Sequence, residues 1–276
     1  MSKKILVTST DLMMVQFLLP HIRNLFENGY VVEVACSDVG GRMDEIHEKI
    51  RDCVRKIHTV DLHRSPAAPG NFKGYRQMKA LIEKGHYDII WTNEPVMGVV
   101  TRLAARRVRK SGTKVLYMVH GFHFYKGAPR VNWMIYYPIE KIMASKADVI
   151  CTVNREDYKR AQKFNVEQVR YIHGIGINTA RLTPGKKQND IRLELGLNKD
   201  DFIVLSVGEL NENKNQKVII EALSVLNDKK IHYLLCGKGN QADALKKLVA
   251  ERHLEKNVHF LGYRKDVVDI CSQSDV

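Results

Sequence analysis

Short runs of β-branched and aromatic residues alternate with amphipathic stretches from the start of the chain, and this alternation constrains the fold more than any other feature. KKILVTS, YVVEVACS, VRKIHTV, YDIIWTN, KVLYMVHG, DVICTVN and VRYIHG each read as a strand. Helical patterns lie between them. Val15, Leu18, Leu19, Ile22, Leu25 and Phe26 recur at helical spacing and are closed by Gly29, and a long helical segment runs from Val96 to Lys110. A strand followed by a helix and another strand gives a parallel sheet covered on both faces, so the expected class is α/β. In such sheets ligands sit at the carboxyl ends of the strands.

The stretch TPGKKQND at Thr183–Asp190 interrupts the pattern with Pro, Gly and polar residues, which places a linker there. A second series follows, with strands in FIVLSVGEL, IHYLLCG and NVHFLGY and helices near Asn215–Asn227 and Gln241–His253. A length of 276 residues fits two domains, expected at 1–183 and 184–276. The final VVDICSQSDV reads as one more helix running toward another strand. Three strands with two full helices would leave an edge and one face poorly covered, so the second domain is expected to be incomplete.

Composition removes several classes. No apolar run approaches the ~18 residues needed to span a bilayer. The N-terminus MSKKILVTST leads into a segment carrying Asp, Gln and Pro without a small-residue cleavage site, so a cytoplasmic chain is expected. Five scattered cysteines with no CxxC read as reduced thiols rather than a zinc or redox site. The net charge of +13 is uneven: residues 1–183 hold 29 Lys and Arg against 17 acidic residues, and residues 184–276 hold 15 against 14. Such asymmetry suggests an anionic partner for the first half, although a solubilising scatter of charge remains the alternative.

After the first strand stands Thr8-Ser9-Thr10-Asp11 and not GxGxxG, which argues against a dinucleotide site, and no GxxxxGK[ST] occurs. The second half carries glycines at strand tips. Cys236-Gly237-Lys238-Gly239-Asn240-Gln241-Ala242 follows a strand and opens a helix; the glycines either let the backbone approach an anionic ligand or serve only the turn. In SVGELNENKNQKVIIEAL, a strand ends at Gly208 and Lys214 stands at the start of a helix whose apolar positions are Val218, Ile219, Ala222 and Leu223. A lysine at the positive end of a helix opposes the dipole unless an anion such as a diphosphate binds, or unless solvent screens it. In the first half a strand delivers His120 to its tip, followed by Phe122, His123, Phe124, Tyr125, Lys126, Arg130, Trp133, Tyr136 and Tyr137. Aromatics mixed with Lys and Arg suit a sugar platform or an interfacial belt, or form the core face of a helix. His120 and His123 lack accompanying thiols or carboxylates, so no metal is expected.

HGFHFYKGAPRVNW, YYPIEKIMASKADVICTVNREDYKRA, GIGINTARL, SVGELNENKNQ and LLCGKGNQADAL, in this order, resemble the family 4 glycosyltransferases of the GT-B fold, in particular the bacterial members that build capsular and exopolysaccharides on a lipid carrier. The resemblance runs over essentially the whole chain. It implies two Rossmann-like parallel-sheet domains facing a cleft, the first for the acceptor and the second for the donor. The donor is expected to be a nucleoside-diphosphate sugar, UDP-linked, with no further cofactor. Lys214 matches the family's diphosphate-contacting lysine, with Gly208, Asn215, Gly237 and Gly239 around it, and His120 matches the histidine that contacts the donor sugar. Phe122, Tyr125, Lys126, Arg130 and Trp133 are expected on the acceptor or membrane side. Where many members carry an arginine near Gly208, this chain has Glu209. The family's paired glutamates, with seven residues between them, would follow Val276, as would a terminal helix that packs on the first domain.

By the same resemblance the reaction is retaining transfer of a hexose to a polyprenyl-diphosphate-linked saccharide at the inner face of the cytoplasmic membrane, with a hinge at residues 174–190. The alternatives are a sugar-nucleotide epimerase of the same architecture, or a chain that binds donor or acceptor without turnover. No helix-turn-helix, RNP or zinc pattern supports nucleic acid as a partner.

Overall fold

The structure is a computed structural model that describes residues 2–38, 43–66, 68–176, 179–183 and 189–276. Most of the proposed linker, and with it residues 177–178 and 184–188 of the proposed hinge, lies outside the described residues. The chain divides into two compact units, Met1–Ile177 and Asn178–Val276.

The first unit opens with β1 (Lys4–Asp11), α1 (Leu12–Glu27), β2 (Val31–Ser37), α2 (Met43–Ile50) and β3 (Lys56–Thr59). It continues through α3 (Gly70–Gly85), β4 (Ile89–Asn93), α4 (Pro95–Ala104), α5 (Arg106–Arg109) and β5 (Lys114–Val119). Finally come α6 (Arg130–Ala144), β6 (Val149–Thr152), α7 (Arg155–Ala161) and β7 (Gln168–Tyr171). All seven strands join one parallel sheet in the order β3-β2-β1-β4-β5-β6-β7. The chain builds outward from β1 through β2 to β3, then returns to place β4 on the other side of β1. That reversal separates the loops after β1 and β4 and opens a crevice at their carboxyl ends.

Helices on both faces explain why β1 opens on a continuous apolar run, with Ile5, Leu6 and Val7 all buried, before its polar end at Thr8–Asp11. Helix α1 buries Val15, Leu18 and Ile22 and leaves Phe26 about half exposed, so its core stripe is narrower than the sequence pattern. The segment Val96–Lys110 divides into α4 and α5 at Ala105, whose ψ of −5° opens the last turn. Beneath the surface, α4, β5 and α6 are locked by a buried ion pair. Arg102 donates from Nη2 to Glu140 Oε2 at 2.9 Å and from Nε to the Gly98 carbonyl at 2.9 Å, while the Tyr117 hydroxyl donates to Glu140 Oε1 at 2.9 Å. The guanidinium stacks 3.9 Å over the Tyr117 ring.

The second unit contains α8 (Ile191–Leu195), β8 (Phe202–Val207), α9 (Lys217–Leu226) and β9 (Ile231–Cys236), then α10 (Ala242–Glu251), β10 (Val258–Gly262) and α11 (Val267–Ser272). Its three strands are parallel, in the order β10-β9-β8. Helix α9 buries Ile220 and Leu223, whereas Val218 and Ala222, read from the sequence as core positions, are exposed. The buried Gln216 just before the helix sets the face, and Ile220 and Leu223 follow it at helical spacing. Asp275 and Val276 lie along β8, their amides donating to the Ile203 carbonyl at 2.9 and 3.2 Å.

Candidate functional site

In the first unit the switch point collects a set of polar groups from three strand ends. Thr8 Oγ1 donates to Thr92 Oγ1 at 2.8 Å, fixing β1 against β4 inside the sheet. One step further out, Asn93 Nδ2 donates to the Thr8 carbonyl at 3.1 Å, which leaves Asn93 Oδ1 to accept from His120 Nε2 at 3.0 Å. That arrangement puts the proton on Nε2 and a lone pair on Nδ1. Burial lowers the pKa of His120 below the ordinary histidine value, because a charged imidazole would lose hydration there. His120 is therefore a neutral ring with an acceptor nitrogen, suited to a sugar hydroxyl.

Glu94 follows β4 with φ at 62°, a left-handed backbone that a non-glycine residue adopts only when its surroundings hold it there. Its carboxylate Oε2 accepts from Ser9 Oγ at 2.6 Å and from the Thr10 amide at 2.7 Å. Pro95 then starts α4, where its missing amide proton costs nothing. Arg64 pairs with the buried Asp11, and together with Thr10, Glu94 and His123 it lines a pocket at the ends of β1 and β4. Glu94 and Arg64 were missed in the sequence, where Thr8-Ser9-Thr10-Asp11 registered only as the absence of a glycine motif. A carboxylate before a proline at a strand end was the one available signal.

The loop after His120 is pinned by α7: the Phe122 amide donates to Asp157 at 3.0 Å and the Lys126 amide to Glu156 at 2.7 Å. Phe122 is buried and stacks on Phe124 with centroids 4.6 Å apart, and Phe124 in turn packs against the half-buried Trp133. Phe122 thus faces the core, not an acceptor or a membrane, and Trp133 packs partly against the same core. Tyr125, Lys126 and Arg130 are exposed. His123 stacks on Tyr136 at 4.5 Å and faces the pocket. Among the described residues no cluster of His, Cys, Asp or Glu could hold a metal ion.

In the second unit Lys214 does not open α9. It belongs to a separate short turn, Glu212–Lys214, capped by Asn211, whose Oδ1 accepts from the Lys214 amide at 3.0 Å. Asn215 follows at φ 49° and turns the chain into α9, which begins at Lys217. The turn carries Lys214 back over the end of β8: a Cβ placed on Gly208 would sit 3.8 Å from Lys214 Cε. Lys217 pairs with Glu221, whereas Lys214 has no ion pair among the described residues. Glu209, adjacent to Gly208, accepts from Asn211 Nδ2 at 3.1 Å. Gly237 and Gly239 have a different reason for being glycines. A Cβ on Gly237 would lie 1.8 Å from the Gly208 carbonyl oxygen, and one on Gly239 would lie 2.2 Å from that of Leu210. The close approach is by the 208–210 backbone, which donates from Gly208 N to the Cys236 carbonyl at 2.9 Å and from Leu210 N to the Lys238 carbonyl at 3.0 Å.

Comparison with known proteins supplies the family. Residues 15–181 match the family described as Glycosyltransferase Family 4, and residues 187–276 match Glycosyl transferases group 1. The chain belongs to the family 4 glycosyltransferases. This family 4 chain is 38% identical over its whole length to EpsD of Bacillus subtilis, which bears the name of a glycosyltransferase, and spans 72% of that protein. It is 25% identical, over 89% of its length, to the UDP-Gal:alpha-D-GlcNAc-diphosphoundecaprenol alpha-1,3-galactosyltransferase of Escherichia coli, of which it spans 64%. In fold it resembles Anabaena HepE, solved in complex with UDP, with a TM-score of 0.69 at 19% identity, covering all of this chain and 72% of that one. A Listeria monocytogenes protein described as a UDP-N-acetylglucosamine 2-epimerase shares the fold as well, with a TM-score of 0.66 at 12% identity over 99% of this chain and 73% of that one. The α/β architecture expected from the strand and helix pattern is thus that of the GT-B glycosyltransferases.

Proposed function

We propose that the protein moves a hexose from a UDP-sugar to a hydroxyl of a polyprenyl-diphosphate-linked saccharide, with retention at the anomeric carbon, during assembly of a bacterial surface polysaccharide. The observation that carries this reading is Lys214, held over Gly208 at the carboxyl end of β8 without a carboxylate partner among the described residues. Departure of a nucleoside diphosphate develops negative charge on its β-phosphate, and an ammonium group there lowers the barrier without a metal ion. The UDP complex of a protein of this fold supports the donor class, and the name of the Escherichia coli relative supports a diphosphate-linked polyprenyl acceptor. His120, neutral and with Nδ1 free to accept, would hold a sugar hydroxyl.

Peripheral association with an anionic membrane follows from the same reading. No helix among the described residues is long and apolar enough to cross a membrane. Helix α6, however, exposes Val131, Met134, Ile135, Ile139 and Ile142, flanked by Lys126, Arg130 and Lys141. Residues 101–150 contain ten Lys and Arg against two acidic residues. Apolar side chains beside cations suit the headgroup boundary of an anionic leaflet.

The test is incubation with UDP-sugars and a polyprenyl-diphosphate saccharide, followed by mass spectrometry of the lipid fraction. A product one hexose heavier is expected. Donor epimerised in the absence of acceptor, or donor hydrolysed with no lipid product, would overturn the assignment. Sedimentation with anionic vesicles at low salt, reversed by added salt, checks the membrane part.

A further inference from the structure

The switch-point pocket does not end at its polar groups. It shares Pro66, Pro95, Val96 and Tyr136 with a second pocket, lined by Val99 and Val100 of α4 and Ile135 and Ile139 of α6, so the two form one continuous depression. One end is polar, with Thr10, Arg64, Glu94 and His123; the other is a mainly apolar groove between two helices, with Asn71 and Glu140 also in its wall.

We infer that this depression binds the acceptor as an amphiphile, with its saccharide end at Thr10, Arg64 and Glu94 and the first isoprenoid units of its lipid in the α4–α6 groove. The inference rests on the proposed transferase reading and adds to it a site for the lipid chain itself.

Three observations support that occupant. First, Thr10 is 2% exposed and its hydroxyl has no hydrogen-bond partner among the described residues, although it lines the polar end; a buried hydroxyl left unpaired costs free energy that a ligand hydroxyl would recover. Glu94 complements it, because Ser9 and Thr10 bond only Oε2, and Oε1 has no partner among the described residues. A carboxylate, a hydroxyl and a guanidinium around the stacked rings of His123 and Tyr136 match the alternating hydroxyls and C–H faces of a sugar. Second, a free sugar has no use for Val99, Val100, Ile135 and Ile139, whereas an isoprenoid chain loses its contact with water against them. Third, Ile135 and Ile139 belong to the exposed apolar face of α6, so the groove opens where the protein is proposed to meet a membrane. The Arg102–Glu140–Tyr117 cluster beneath it fixes the spacing of α4 and α6, and a groove of set width needs little rearrangement on binding.

The experiment compares two probes by calorimetry below their aggregation concentration: N-acetylglucosamine linked through a diphosphate to geranylgeraniol, and the same headgroup linked to methanol. The native chain is expected to bind the geranylgeranyl compound at least about tenfold more tightly. Ile135→Gln and Ile139→Gln, both at partly exposed positions that tolerate a polar group, should each reduce that preference several-fold. Met134→Gln and Ile142→Gln, on the exposed face but outside the groove lining, should retain it. Equal affinity for the two probes, or equal loss in all four variants, overturns the groove assignment and leaves the transferase reading standing. Binding of neither probe while UDP still binds removes the lipid-linked acceptor and the groove with it.

Discussion

Replacing Gly237 with alanine separates two explanations for the glycines at the tip of β9. An alanine Cβ would lie 1.8 Å from the Gly208 carbonyl oxygen and 2.8 Å from its carbon, where about 3.3 Å is comfortable, so the 208–210 loop must retreat by roughly 1.5 Å. Retreat of that size strains or breaks the backbone bonds from Gly208 to Cys236 and from Leu210 to Lys238, each worth about 1 kcal/mol, in addition to an overpacking cost of about 1–3 kcal/mol. With both bonds lost, the second unit should therefore lose about 3–5 kcal/mol. UDP affinity should fall too, since the displaced loop leads into Lys214. Urea denaturation followed by far-UV circular dichroism reads the loss. Both tryptophans, Trp91 and Trp133, lie in the first unit, so their fluorescence transition should stay in place as an internal control. Gly208→Ala meets nothing closer than 3.8 Å and suffers only from its φ of 150°, so it should cost about 1 kcal/mol and less than Gly237→Ala. If Gly237→Ala leaves stability intact and abolishes UDP binding, the glycine serves a ligand and the backbone-approach reasoning is wrong.

Lys214→Ala should weaken UDP about tenfold without moving the thermal midpoint, while Lys217→Ala, which removes the partner of Glu221, should leave the UDP dissociation constant unchanged; equal effects would reject the distinction between the two lysines. Glu140→Ala should cost about 3–5 kcal/mol in the tryptophan-monitored transition, because it strands the fully buried Arg102, and the double change Arg102→Met with Glu140→Leu should cost less. The pH dependence of stability should carry the signature of Glu33. Burial by itself raises the pKa of that carboxyl, but hydrogen bonds from Tyr87, Lys4 and His58 outweigh it and hold the value at about 2 against an ordinary 4.5. A depressed folded value means that the contribution is complete above pH 4.5 and is lost as pH falls from there toward about 2. Urea midpoints measured across that window should fall less steeply in Glu33→Gln, and an unchanged slope would show that the carboxylate does not couple to folding.

Sequence alone determined the strand and helix alternation of both units, because period and composition are local properties of the backbone and its side chains. All seven strands read in the first unit and all three in the second appear where the β-branched runs place them. Residue type and order also brought out His120 and Lys214 as strand-tip candidates, since each follows the end of a patterned strand. What the sequence left open is which tips become neighbours. Glu94, Arg64 and Thr10 are far apart in the chain and meet only because β4 returns beside β1, a consequence of sheet order that no local pattern encodes. The same holds for the aromatics after His120. Phe122 and Tyr125 are alike in composition and spacing, yet one is buried against Phe124 and the other is exposed, because α7 pins the loop from a distance. Gly237 and Gly239 were legible as a turn, but the reason they must be glycine came from the carbonyls of Gly208 and Leu210 lying directly against them. Local chemistry determined the elements and the kinds of group available; long-range packing decided which groups share a site.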